Sequence, residues 1–140
     1  YMRFLVLLLA AFTLAGCTST PLPPHDPAQA WVTMHGAAGG LLMADRVDNK
    51  RWPDGRYFQV TPGEHELQTR FIFDVPGGGF DSFSESYQVT CFIQFRYADF
   101  KAGQRYRLEA RPWLMKAQAW MYDEQRNLLA RGKVERCGAF

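Results

Sequence analysis

Residues 105–111 read Arg105-Tyr106-Arg107-Leu108-Glu109-Ala110-Arg111, an unbroken alternation of charged and apolar side chains. Successive side chains of a strand point to opposite faces, so this period turns Tyr106, Leu108 and Ala110 inward and the arginines outward. A helix would scatter the same residues around its axis. The stretch reads as a half-buried strand, and other segments repeat the pattern. Val89, Cys91, Ile93, Phe95 and Tyr97 share one face of a second strand, with Thr90, Gln94 and Arg96 on the other and Phe92 as an apolar exception there. Within His65–Phe73, Leu67, Phe71 and Phe73 share a side.

Ala30–His35, Leu41–Val47 and Tyr57–Val60 add further short strands, and Lys116–Tyr122 with Leu128–Arg136 reads as a closing hairpin around Asp123–Asn127. Turn residues separate the runs: Gly39-Gly40, Asp54-Gly55, Pro62-Gly63, Pro76-Gly77 and Ala102-Gly103. Pro112-Trp113-Leu114-Met115 reads as a kinked connection, and Ala98–Gly103 as a turn with some helical character. No segment keeps a capped apolar stripe at helical period. Aromatic residues, 15% of the chain, favour sheet. The expected fold is all-β: an antiparallel sandwich of about seven to eight strands, with a small antiparallel barrel as the alternative.

The N-terminal part is of another kind. Arg3 precedes an apolar run from Phe4 to Ala15. A helix of about a dozen residues spans roughly 18 Å, against a hydrocarbon core of roughly 30 Å, which suits a secretory signal and not a membrane span. The run ends in Leu14-Ala15-Gly16-Cys17. This motif resembles the lipobox of bacterial lipoproteins. The resemblance implies cleavage before Cys17 and two or three acyl chains on that residue, enough for stable anchoring where one chain is not. Thr18 is not acidic, and in the families resembled this implies the outer membrane. An ordinary cleaved signal with a coincidental cysteine is the competing reading.

Residues 18–29 contain Pro21, Pro23, Pro24 and Pro27, which deny the segment both helix and sheet. The expected organisation is a signal peptide over 1–16, a lipidated cysteine with an extended tether over 17–29, and one domain over 30–140. An extended tether reaches up to about 35 Å. Loss of residues 1–16 removes Arg3 and lowers the formal charge from +2 to +1. That balance argues against nucleic acid as a partner and leaves the lipid on Cys17 as the link to the membrane.

With Cys17 lipidated, Cys91 and Cys137 remain, and an exported protein favours their pairing. A free, buried Cys91 beside a frayed C-terminus is the alternative. Two isolated cysteines without a histidine at ligand spacing do not make a zinc set, so no metal and no cofactor is expected. His25 and Asp26 read as a solvated pair in the tether. An enzyme would have to use His35 or His65, the latter paired with Asp45 or Glu66, but neither spacing forms a nucleophile or metal motif. Ser82, Ser84 and Ser86 lack a nucleophile elbow. Gly77-Gly78-Gly79 leads to Phe80-Asp81-Ser82-Phe83 and a strand, not to a helix N-terminus with a lysine, so it reads as a hairpin loop and not as a phosphate cradle. Asp45, Asp48, Asn49 and Asp54 lack calcium-loop spacing and read as turn residues bonding their own backbone. No catalytic residue is assigned.

Two features suit binding. Phe80 and Phe83 lie in or beside the glycine loop, either exposed to a partner or folded back over the core. Arg105, Arg107 and Arg111 line one strand face, a stripe able to grip carboxylates or phosphates, or an ordinary solvated face with weak cross-strand pairs.

Pro62-Gly63-Glu64-His65-Glu66-Leu67 resembles the Pro-Gly-x-His-x-Leu turn of PEGA-like β-modules and of small proteobacterial envelope lipoproteins. Ala102-Gly103-Gln104-Arg105-Tyr106-Arg107-Leu108 is similar to the later Gly-x-x-Tyr-x-Leu strand of those lipoproteins. The resemblance implies an Ig-like sandwich, a structural role for His65 and an envelope-binding or assembly role. The functional expectation is a non-enzymatic outer-membrane lipoprotein facing the periplasm and binding an envelope protein or cell-wall component. The alternatives are an inhibitor of a cell-wall hydrolase and an enzyme using His65 or His35.

Overall fold

The computed structural model describes residues 16, 20–76 and 86–140, so Cys17, Phe80 and Phe83 lie outside the described residues. Ten strands follow in order: β1 (Ala30–Gly36), β2 (Gly40–Val47), β3 (Lys50–Arg51), β4 (Tyr57–Val60), β5 (Gly63–Val75), β6 (Tyr87–Phe100), β7 (Arg105–Trp113), β8 (Lys116–Asp123), β9 (Leu128–Arg131) and β10 (Lys133–Gly138). They form two five-stranded sheets, ordered β4-β1-β7-β8-β9 and β10-β6-β5-β2-β3. The sheets are not closed on one another, so the fold is a β-sandwich and not a barrel. Neighbours are antiparallel except β1 and β7, which run parallel with Trp31 opposite Arg105 and His35 opposite Glu109.

Alternation sets which face is buried. Val32 on β1, Leu67, Phe71 and Phe73 on β5, Cys91, Ile93 and Phe95 on β6, Leu108 on β7 and Met121 on β8 meet between the sheets. Burying a large apolar side chain contributes about 1.5–3 kcal/mol, and this shared core holds the layers together. Thr69 is the polar residue on that face of β5. Its hydroxyl donates to the Ile93 carbonyl at 3.1 Å, which removes the cost of burying it.

Three expectations are corrected. Leu128–Arg136 is not one strand of a hairpin. Its first half pairs with β8 as expected, and after Gly132 the chain crosses to the other sheet and pairs with β6. Pro112–Met115 is not a kinked connection, because β7 runs to Trp113 and only Leu114 and Met115 lie outside the strands of this hairpin. Residues 98–100 carry no helical turn, since β6 continues to Phe100. The two-residue β3 and the split at Gly132 account for the larger strand count.

The disulfide joins Cys91 on β6 to Cys137, directly opposite on β10. It fixes the last strand to the second sheet. Residues 20–29 lie beside β4. The Thr20 carbonyl accepts from Arg56 Nη1 at 2.8 Å, and the Asp26 amide donates to Gln59 Oε1 at 2.9 Å. The sandwich has two distinct ends. Gln29 enters at the end formed by the turns 61–62, 101–104 and 124–127, and the other end holds the 37–39 turn, the β7–β8 hairpin tip and the C-terminus.

Candidate functional site

The outward face of the first sheet carries the arginine stripe. Register places its neighbours: Arg107 lies between Thr33 and Tyr122, Glu109 between His35 and Trp120, and Arg111 beside Gln118. Arg107, Arg111, Trp120, Tyr122 and His35, joined by Arg126 from the β8–β9 turn, surround a shallow cavity of about 400 Å³ with Glu109 among them.

Glu109 is the hub of the charges. Its Oε2 accepts from Arg126 Nη2 at 2.9 Å, and its Oε1 lies 3.3 Å from Arg107 Nε. The Arg126 guanidinium rests 4.6 Å from the Tyr122 ring centroid, and Arg111 rests 5.0 Å from that of Trp120. Arg111 Nε and Nη2 both donate to Gln118 Oε1, at 3.2 and 3.0 Å. Stacking on a ring and bonding to a neutral amide hold this guanidinium in place without neutralising it. Among the described residues no carboxylate pairs with Arg111. Three arginines surround one glutamate, so the cavity has a net positive charge.

His35 lies beside these groups with Nε2 3.2 Å from Thr33 Oγ1. Its pKa is lowered, first by burial and then by the nearby Arg107 charge, while Glu109 opposes the shift. The ring is therefore neutral at pH 7.

The structure brings Arg107 and Arg111 together but sets Arg105 apart. Arg105 lies toward the other end of β7, with its guanidinium 5.9 Å from the Trp31 ring centroid. Trp31 is itself covered by Tyr57, stacked on it at 4.4 Å with planes 4° apart. Sequence reasoning missed Arg126, Trp120 and Tyr122. The alternation Gln118, Trp120, Tyr122 was visible in β8, but only the pairing register shows that these residues face the arginines.

His65, the other histidine considered for chemistry, is a turn clamp. Its Nδ1 lies 2.6 Å from Asp48 Oδ2, and its Nε2 lies 2.7 Å from the Thr61 carbonyl and 3.1 Å from the Thr61 hydroxyl. Its partner is not Asp45 or Glu66: Asp45 accepts from Gln68 and Glu66 from Arg96. Asp54 bonds its own turn, accepting from the Arg56 amide, whereas Asp48 reaches across to β5 and accepts from the Glu66 amide instead of its own backbone. His25 and Asp26 are not fully solvated, since His25 Nε2 lies 2.7 Å from the Gln29 carbonyl and Asp26 caps the Ala28 amide. Among the described residues no three His, Cys, Asp or Glu side chains gather as a metal site.

No protein-family model matches this chain, and no curated protein or solved structure matches it.

Proposed function

We infer that this chain is a non-enzymatic outer-membrane lipoprotein, acylated on Cys17, whose sandwich faces the periplasm and binds an anionic component of the cell envelope. One observation carries the binding role: Arg111 is exposed, held rigidly by Trp120 and Gln118, and has no carboxylate partner among the described residues. A guanidinium fixed in that way recognises a carboxylate or phosphate with little ordering cost, and Arg107 and Arg126 stand close enough to share the charge. The ligand class is a carboxylate- or phosphate-bearing wall polymer, or a partner protein presenting acidic side chains.

The rival reading, an inhibitor plugging the cleft of a cell-wall hydrolase, needs a projecting element. The arginines instead lie on a sheet face, which supports docking of an extended ligand over insertion into a cleft. The test is photo-crosslinking in intact cells from position 118. A discrete envelope adduct that disappears in Arg107→Gln/Arg111→Gln supports the reading. An unchanged adduct pattern in that variant removes the face as the binding site. Mass analysis of the exported chain showing a bare Cys17 removes the anchor.

A further inference from the structure

We propose that the β7–β8 hairpin tip, Trp113-Leu114-Met115, is a second membrane contact that rests on the surface of a phospholipid bilayer. The idea takes its orientation from the Cys17 anchor, and to that extent rests on the reading above.

The first observation is a concentration of exposed apolar surface. Eight large apolar side chains are exposed among the described residues, and six of them lie at the end of the sandwich away from Gln29: Leu41, Tyr87, Trp113, Leu114, Met115 and Phe140. Leu114 is 82% exposed, Trp113 55% and Met115 54%. Three consecutive exposed apolar residues at a hairpin tip exceed the single scattered ones that any surface carries.

The second observation is backbone conformation. Leu114 has φ +57°, the left-handed region that glycine or asparagine occupies at least cost. A leucine there is locally unfavourable twice over, in its backbone and in its exposure. Such departures from local rules collect at functional positions.

The third observation is charge. Arg111 and Lys116 flank the tip on its two strands, and both are exposed. Arg136 lies nearby on β10, but Glu135 beside it lines the same groove as Met115 and Lys116 and Asp74 is exposed near the same end, so among the described residues the basic side chains there outnumber the acidic ones three to two. A tryptophan and aliphatic tip with a basic collar fits an interface of acyl chains beneath anionic headgroups.

The fourth observation is the path of the chain toward Cys17. Gln29 enters at the opposite end, but the preceding residues run back along β4, and Thr20 is held by Arg56 just before that strand begins. Tyr57, the first residue of β4, pairs with Thr33, part-way toward the hairpin tip. Cys17 is three residues before Thr20, a reach of about 10 Å. Thr20, the described residue nearest Cys17 on the domain side, therefore lies beside the start of β4, on the tip side of the Ala30 entry. The acyl chains on Cys17 would supply stable attachment by themselves, and an apolar tip adds a second contact that fixes the orientation of the sandwich.

The test uses the exported chain, reconstituted through its own anchor into vesicles of phosphatidylethanolamine and phosphatidylglycerol carrying brominated acyl chains. Tryptophan emission should be quenched, and the quenching should fall in Trp113→Phe and in Leu114→Gly. Glycine accepts the left-handed φ, so Leu114→Gly should melt at the same temperature or higher, which separates lost contact from lost fold. Equal quenching in the native chain and Trp113→Phe overturns the proposal. A Leu114-dependent dimer in detergent, detected by sedimentation, also overturns it by assigning the tip to a second copy. A bare Cys17 by mass sinks the anchor alone. The tip is then tested by adding the same chain to preformed vesicles, where Leu114→Gly should weaken partition about tenfold.

Discussion

Gly132 and Ala119 are in close backbone contact: the Gly132 amide donates to the Ala119 carbonyl at 2.8 Å, and a methyl group on Gly132 would lie 2.8 Å from the Ala119 Cβ. The same methyl would lie 2.7 Å from Ile93 Cγ2 and 3.1 Å from Phe95 Cε1. Gly132 is the point where the chain leaves the first sheet for the second, and only a residue without a side chain fits between the layers there. Gly132→Ala should destabilise the fold by about 1–3 kcal/mol through overpacking. Urea unfolding checks this, and an unchanged midpoint would show that the layers part easily at this edge.

The same glycine shows why part of the fold was hidden in the sequence. Alternation in β5, β6 and β7 was legible because one face of each is apolar and the other polar, so inward residues such as Leu67, Ile93 and Leu108 could be named in advance. Leu128–Arg136 keeps a strand-like composition on both sides of Gly132, and a lone glycine marks a bend or close approach without showing that the chain changes sheets there. That change is set by long-range packing against Ile93 and Ala119. The arginine face was half legible for a similar reason. Arg107 and Arg111 announce themselves by period two, but the parallel pairing of β1 with β7, which brings His35 beside Glu109, is a property of topology and not of spacing. Arg126 sits in a turn at φ +64°, where no periodicity applies.

The Cys91–Cys137 bond closes a loop with a sequence separation of 46 residues. In the chain-entropy account, a loop of that size contributes about 4 kcal/mol by restricting the unfolded chain. Cys91→Ala/Cys137→Ala should therefore lose about 2–5 kcal/mol, with β10 the element released first because β6 is its sheet neighbour. Denaturant unfolding gives the total, and hydrogen exchange across residues 133–138 tests where the loss begins. Uniform protection in the variant would count against β10 as the weak point.

Acid should weaken the His65 clamp through Asp48. Burial alone would raise the Asp48 pKa, but bonds from the Glu66 amide and the His65 ring outweigh it and leave the pKa below its ordinary value of 3.8. A carboxyl whose folded-state pKa is depressed adds stability above its unfolded pKa and loses it as pH falls through the folded one. Asp54, held by Arg56, and Asp123, held by Asn127, shift in the same direction. Stability should fall below about pH 4, and Asp48→Asn should flatten that fall while lowering stability at neutral pH. Thermal unfolding across pH 2–7 decides the matter, since parallel curves for the two proteins would mean that Asp48 contributes nothing to acid sensitivity.

His35 should report on the arginine face. Burial, then Arg107, depress its pKa below the ordinary 6.5, and Glu109 opposes them. Arg107→Gln should raise the His35 pKa and Glu109→Gln should lower it further, both readable as shifts in the NMR titration of the ring. For stability the sign is that of a depressed group: the neutral ring favours folding above about pH 6.5, and this contribution is lost as pH falls through the folded pKa. An anion held by Arg107 and Arg111 would reverse the balance by offsetting the Arg107 charge, which makes protonation easier. Linkage then requires that protonation tighten the anion in return. Sulfate, whose charge is constant over this range, should bind more tightly at pH 5.5 than at 7.5, and His35→Gln should remove the difference. Affinity that did not change with pH in the native chain would place the anion away from His35, and with it away from the cavity between Arg107 and Arg111.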